Sequence, residues 1–114
     1  MSSHFNFEKA VEDLQKGKKL TGKDGVLTSL IKELVEAVLE GEIESHIRSE
    51  ALVGKKTNRR NGYNIKTVKA PTGEFELSTP RDRDGIFTPQ IVKKYQTHLT
   101  DEIEAKILSI YYYL

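Results

Sequence analysis

Val26-Leu27-Thr28-Ser29-Leu30-Ile31-Lys32-Glu33-Leu34-Val35-Glu36-Ala37-Val38-Leu39-Glu40 is the most strongly patterned stretch of this 114-residue chain. At about 100° per residue, Leu30, Ile31, Leu34 and Val38 fall within about 60° of Leu27, while Lys32, Glu33, Glu36 and Glu40 fall on the opposite side. The spacing predicts an amphipathic helix from Val26 to about Glu40. The stripe does not continue in register, because Ile43 and Ile47 project to the far side of the same wheel. Gly41 stands between the two patterns. A kink or break is therefore expected there, followed by a second helix whose Ile43, Ile47 and Ala51 contact something different.

On the amino-terminal side, Phe7, Ala10, Val11 and Leu14 recur at helical spacing, with Gly17 as a stop. A basic, glycine-punctuated connector, Lys18-Lys19-Leu20-Thr21-Gly22-Lys23-Asp24-Gly25, joins that short helix to the long one. On the carboxyl-terminal side, Gly54 to Gly62 has almost no apolar content and reads as an exposed loop. Tyr63, Ile65 and Thr67 then alternate, Pro71-Thr72-Gly73 forms a turn signal, and Phe75 and Leu77 alternate with Glu74, Glu76 and Ser78. This pattern predicts a β-hairpin. Thr79 to Gly85 reads as a polar turn region, and Ile91 to His98 fits a strand or a short helix equally well. Thr100 is a good N-cap for a last helix, with Asp101 and Glu102 in its first turn and Ile103, Ile107, Ile110 and Leu114 as its apolar stripe. The expected class is α+β.

The chain has no cysteine, which removes disulfides and thiolate metal sites. Met1 to Ala10 contains Glu8 and no long apolar run, so it does not read as a signal peptide. No apolar run is long enough for a membrane span, and a cytoplasmic, soluble protein is the default expectation. The net charge of +1 hides an asymmetry: residues 1–50 carry −3, residues 51–100 carry +6 and residues 101–114 carry −2. An acidic arm, a basic centre and an acidic tail point to a polyanion bound by the centre.

Lys55, Lys56, Arg59, Arg60, Lys66 and Lys69 occur over fifteen residues with no acid among them. Such a run is a solvated loop or a track for phosphates; its uniform sign, Gly62 and the adjoining hairpin favour nucleic acid. Asn58, Asn61 and Asn64 add amides able to reach bases or phosphates, and Tyr63 could stack or pack. Arg81 and Arg83 form a second basic element, unless Asp82 and Asp84 neutralise them locally. Gly54-Lys55-Lys56-Thr57 lacks the upstream glycine and Gly-Lys-Thr adjacency of a phosphate-binding loop. Asp82-Arg83-Asp84-Gly85 lacks the ligand spacing of a calcium loop. His4, His46 and His98 are scattered, and the acids Glu33, Glu36, Glu40, Glu42 and Glu44 read as a solvated helix face rather than a catalytic cluster. No catalytic or metal-binding residue is assigned.

Several ordered blocks resemble Mutator-type bacterial insertion-sequence transposases. They are Leu20 to Leu27 running into Leu30-Ile31-Lys32 and Gly41-Glu42-Ile43-Glu44, then Asn58 to Tyr63, Lys66-Thr67-Val68 and Gly73-Glu74-Phe75. The most recognisable is Thr79-Pro80-Arg81-Asp82-Arg83-Asp84-Gly85-Ile86-Phe87-Thr88-Pro89-Gln90-Ile91-Val92, followed by Asp101-Glu102-Ile103 through Ser109. The resemblance implies transposition by DNA strand cleavage and joining, with divalent metals held by acidic residues of an RNase H-like domain downstream of the matched part. It also implies that this chain is an amino-terminal fragment, inactive alone, whose ending Tyr111-Tyr112-Tyr113 replaces the family's continuation.

The expected organisation is a short helix and basic connector over 1–24 and an acidic amphipathic helical region over 25–53. A basic, DNA-contacting loop and β-hairpin follow over 54–98, then a truncated terminal helix over 99–114. Lys55, Lys56, Arg59, Arg60, Lys66, Lys69, Arg81 and Arg83 are the expected DNA contacts, with insertion-element ends as the DNA. A second copy or a full-length transposase is a further expected partner. The competing expectation is a protein-interaction module, or an inhibitor of full-length transposase, using Leu27, Leu30, Ile31, Leu34 and Val38 to join partner helices.

Overall fold

A computed structural model describes residues 6–55 and 57–112. His4, Lys56, Tyr113 and Leu114, all singled out above, lie outside the described residues. The elements are α1 (Phe7–Gln15), α2 (Val26–Leu52), β1 (Arg60–Ala70), β2 (Gly73–Asp82) and α3 (Asp101–Tyr112). This is an α+β arrangement in which one long helix packs on a two-stranded antiparallel hairpin.

Local chemistry sets the element ends. Asn6 caps α1 by accepting the Lys9 amide at 2.9 Å, and Gly17, at φ 91°, lets the chain leave the helix. The Ile103 amide donates to Thr100 Oγ1 at 3.2 Å, so Thr100 caps α3 as expected. The hairpin turn is the Pro71-Thr72 pair, with Ala70 opposite Gly73. At Gly73 an added Cβ would lie 2.6 Å from Gly22, because the α1–α2 connector presses on this turn. Thr28 Oγ1, buried at the start of α2, lies 2.7 Å from the Gly22 carbonyl and 3.0 Å from that of Thr72, joining connector, helix and turn. From α3, Glu104 accepts the Thr72 amide at 3.1 Å and its hydroxyl at 2.9 Å.

The expected break at Gly41 does not occur. Helix α2 runs unbroken through Gly41, which faces open space. The buried residues form one inclined row along the helix: Ile31, Val35, Leu39 and Ile43 are spaced by four and all fully buried, although Ile43 lies outside the core cluster that the first three share. Each step of four residues advances about 400° around the helix, so this row drifts about 40° per step. The buried stripe therefore winds around α2, and a straight wheel splits it in two.

Leu30, Ile31, Leu34, Val35 and Leu39 meet Val68 of β1 and Phe75 and Leu77 of β2, with Val92, Leu99 and Ile107 completing the core. In β1 the inward residue is Val68, while the Tyr63 and Ile65 row that signalled the strand is 51% and 68% exposed. Strand β2 also extends further than expected, through Thr79 to Asp82, where a polar turn was expected. The 91–98 segment adopts neither expected form; it runs as irregular chain whose end pairs with the edge of β1 through a bridge between Lys69 and His98.

Gly41→Ala should stabilise the chain by about 1 kcal/mol in urea unfolding, since alanine favours a continuous exposed helix position. Leu39→Ala should cost about 2–5 kcal/mol through the cavity it leaves. A loss of stability in Gly41→Ala would restore the break.

Candidate nucleic-acid interface

Acids on α2 organise the basic region. Glu36 accepts the Ser78 amide at 2.9 Å, occupying an N–H on the edge of β2 that faces away from β1. Two residues on, Pro80 has no N–H to leave unpaired. Glu42 accepts the amides of Gln90 and Ile91 at 3.0 and 3.1 Å. Glu40 takes Arg60 in an ion pair and accepts the Tyr63 hydroxyl at 2.8 Å, with Glu44 at 3.8 Å from Arg60. Partial burial raises the Glu40 pKa, but the hydrogen bonds from Arg60 and Tyr63 outweigh it and hold the carboxyl below its usual range. These acids form a docking row, which the expectation of a solvated face missed.

The eight expected DNA contacts separate by environment. Arg59, Arg81 and Arg83 gather at the open end of the hairpin, where the Arg83 amide donates to the Arg59 carbonyl at 2.7 Å. Lys55 is exposed in the preceding loop. Among the described residues none of these four has an acidic partner. Arg81 is oriented instead by neutral acceptors, donating from Nε to the Asn61 carbonyl at 2.6 Å and from Nη1 to Asn64 Oδ1 at 3.2 Å. Gly62, at φ 74° in the bulged part of β1, sits beneath that guanidinium. Arg60 is matched by Glu40. Lys69 lies near the other end of the hairpin, opposite Glu74. Lys66 is half-buried and donates to the carbonyls of Lys93 and Lys94 at 2.9 and 3.3 Å; burial pushes its pKa down.

Asp82 does not neutralise its arginine neighbours. Its side chain turns inward, 4% exposed, accepting from Asn58 Nδ2 at 2.9 Å and from the Phe87 and Ile86 amides at 3.2 and 3.3 Å. Asn58, expected to reach DNA, is buried and also accepts the Asp84 amide at 3.1 Å. His46 Nε2 lies 3.4 Å from Asp82 Oδ2, and its ring is 5.5 Å from that of Phe87. Asp82 thus holds the 84–87 turn against α2. Two basic residues absent from the expected set, Lys93 and Lys94, are exposed nearby, and Lys94 packs beside the exposed ring of Tyr95. They fell in the 91–98 segment, which fitted a strand or a short helix equally well. Among the described residues, no group of three or more His, Asp or Glu side chains is placed to hold a metal ion. No helix is long and apolar enough to cross a membrane among them.

A family model described as Transposase, Mutator family, matches residues 3–113. The transposase for insertion sequence element ISRM3 of Rhizobium meliloti (strain 1021) is 43% identical over 90 residues, covering 79% of this chain and 22% of the relative. A probable transposase for an ISRM3-like element of Sinorhizobium fredii is 42% identical over the same length and shares. The transposase for insertion sequence element IS256 in transposon Tn4001 of Staphylococcus aureus is 26% identical over 110 residues, covering 95% of this chain and 27% of the relative. The chain spans about a quarter of the length of these relatives.

Burial raises the Asp82 pKa, but hydrogen bonds led by that from Asn58 outweigh it and hold the carboxyl below the ordinary aspartate range. Because the folded value is the lower one, the stabilisation is complete above the unfolded pKa of about 4 and is lost as the pH falls through the folded value. Asn58→Ala should cost about 1–3 kcal/mol at neutral pH. It should also flatten the acid-side loss of stability, measured by urea unfolding at stepped pH; an unchanged pH profile would contradict the role given to Asn58.

Proposed function

The chain belongs to the Mutator family of transposases, and from that premise we propose that it contributes DNA binding and assembly to the transposition of an insertion element. One observation carries the reading: Arg59, Arg81 and Arg83 at the open hairpin end, with Lys55 before them, lack acidic partners among the described residues. Such a cluster attracts a phosphate backbone and releases its counterions. We assign backbone contact to these four. Lys66 ties down the 93–95 segment, Arg60 locks the hairpin to α2, and Lys69 is at most a peripheral contact. The ends of the element are the DNA we infer, since the relatives are transposases for insertion sequence elements. Strand cleavage and joining need clustered carboxylates for two metals, and we place that chemistry outside the described residues.

The stripe-mediated interaction module is not favoured. Leu30, Ile31 and Leu34 are 7%, 0% and 7% exposed in this chain's own core, so they are not free to join partner helices. Assembly with a second copy or a full-length transposase must use another surface.

An anisotropy titration on duplex DNA at several salt concentrations tests the reading. Affinity should fall steeply with salt, and Arg59→Ala and Arg83→Ala should each reduce the logarithmic salt slope by about one. Arg60→Ala should change the slope least, because Glu40 already matches that charge. Absent or salt-independent binding at low salt would overturn the proposal.

A further inference from the structure

A cleft of about 400 Å³ opens between the open half of the hairpin and the 85–95 segment. Asn64, Lys66 and Arg81 line it from the strands, and Phe87, Lys94 and Tyr95 from the facing segment. Tyr95 is 86% exposed, and Lys94 Nζ lies 5.6 Å from the centre of its ring. Its position is nevertheless held, because Lys66 Nζ donates to the two carbonyls just before it, those of Lys93 and Lys94. Across the cleft, the bonds from Arg81 to Asn61 and Asn64 fix the plane of the guanidinium. The one acid on the lining, Asp82, is buried and occupied by Asn58 and two backbone amides.

A duplex backbone needs cations on an open surface, and no cavity. A recess with a flat ring on one wall, cations on both and a side-chain amide inside fits a planar, hydrogen-bonding ring that carries phosphate. We infer that this cleft receives one unpaired nucleotide of a DNA strand, its base stacked on Tyr95 and its phosphate held by Arg81 and Lys94. This rests on the DNA-contact reading above and narrows it: the chain distinguishes an opened or overhanging end from continuous duplex. Recognition by stacking is tolerant of base identity, because every base offers a π-face.

The test compares the 114-residue chain on a blunt duplex and on the same duplex carrying a two-nucleotide single-stranded overhang, both by anisotropy. The overhang should bind about tenfold more tightly, the scale of one base stacked on an aromatic ring. Tyr95→Ala should abolish that preference and leave blunt-duplex affinity unchanged, Tyr95→Trp should retain it, and Arg59→Ala should weaken both DNAs in parallel. Because Tyr95 is exposed, these variants should keep the parent's thermal unfolding. Equal affinity for the two DNAs, or parallel loss in Tyr95→Ala, overturns the cleft assignment while leaving duplex contact standing. Binding to neither DNA overturns both.

Discussion

Everything in this chain hangs on the row Ile31, Val35, Leu39 and Ile43 along α2, each fully withdrawn from solvent. A two-stranded hairpin is marginal alone, and an isolated helix needs a partner for its apolar face. Their mutual burial supplies the stability that neither has. The row is inclined to the helix axis, so the surface that packs against it follows the winding of the stripe instead of one straight face. Side chains beside the row then complete the joint. Glu36 takes the edge of β2, Glu40 takes Arg60 and Tyr63, and Glu42 takes the chain at Gln90 and Ile91. Turning these carboxylates inward has an electrostatic consequence. The acids of the arm are spent on structure, and several cations of the centre are left with no acid to face.

The two edges of the hairpin are each covered in part, by different means. Along β2, Glu36 accepts the outward Ser78 amide, and Pro80 has no N–H to leave unpaired. Along β1, the 97–99 segment pairs at Lys69, donating its Leu99 amide to the Lys69 carbonyl at 2.8 Å and accepting the Lys69 amide on the Thr97 carbonyl at 2.8 Å. Free edges invite pairing with other chains, and these contacts occupy part of each edge. The bulged, open end around Arg59 to Tyr63 is exposed, and that is where the arginines without an acidic partner among the described residues collect.

Where local rules suffice, the sequence was legible. Thr100 announced its cap by residue type, Pro71-Thr72-Gly73 announced the turn, and Phe75 and Leu77 announced the inner face of β2. The Gly41 region misled because a straight wheel cannot represent a stripe that drifts. β1 misled in a second way, since Tyr63 and Ile65 show the alternation but Val68 carries the core. Of the basic residues, composition could not separate Arg60 from Arg59, because the Glu40 that matches Arg60 lies twenty positions away. Asn58 and Asp82 looked like surface polar residues, and only the fold turns both inward. Lys94 and Tyr95 lay in a segment that fitted strand and helix equally, and its shape comes from contacts with Glu42 and Lys66.

The central claim is that docking on α2 leaves one end of the hairpin as the DNA-facing surface. Amide hydrogen exchange on the 114-residue chain, with and without duplex DNA at low salt, addresses it directly. The account predicts new protection around residues 59–62 and 83–95, with the amides of Ile31 to Ile43 already protected and unchanged. Protection appearing instead on α1 or α3, with the open hairpin end unaltered, would contradict it.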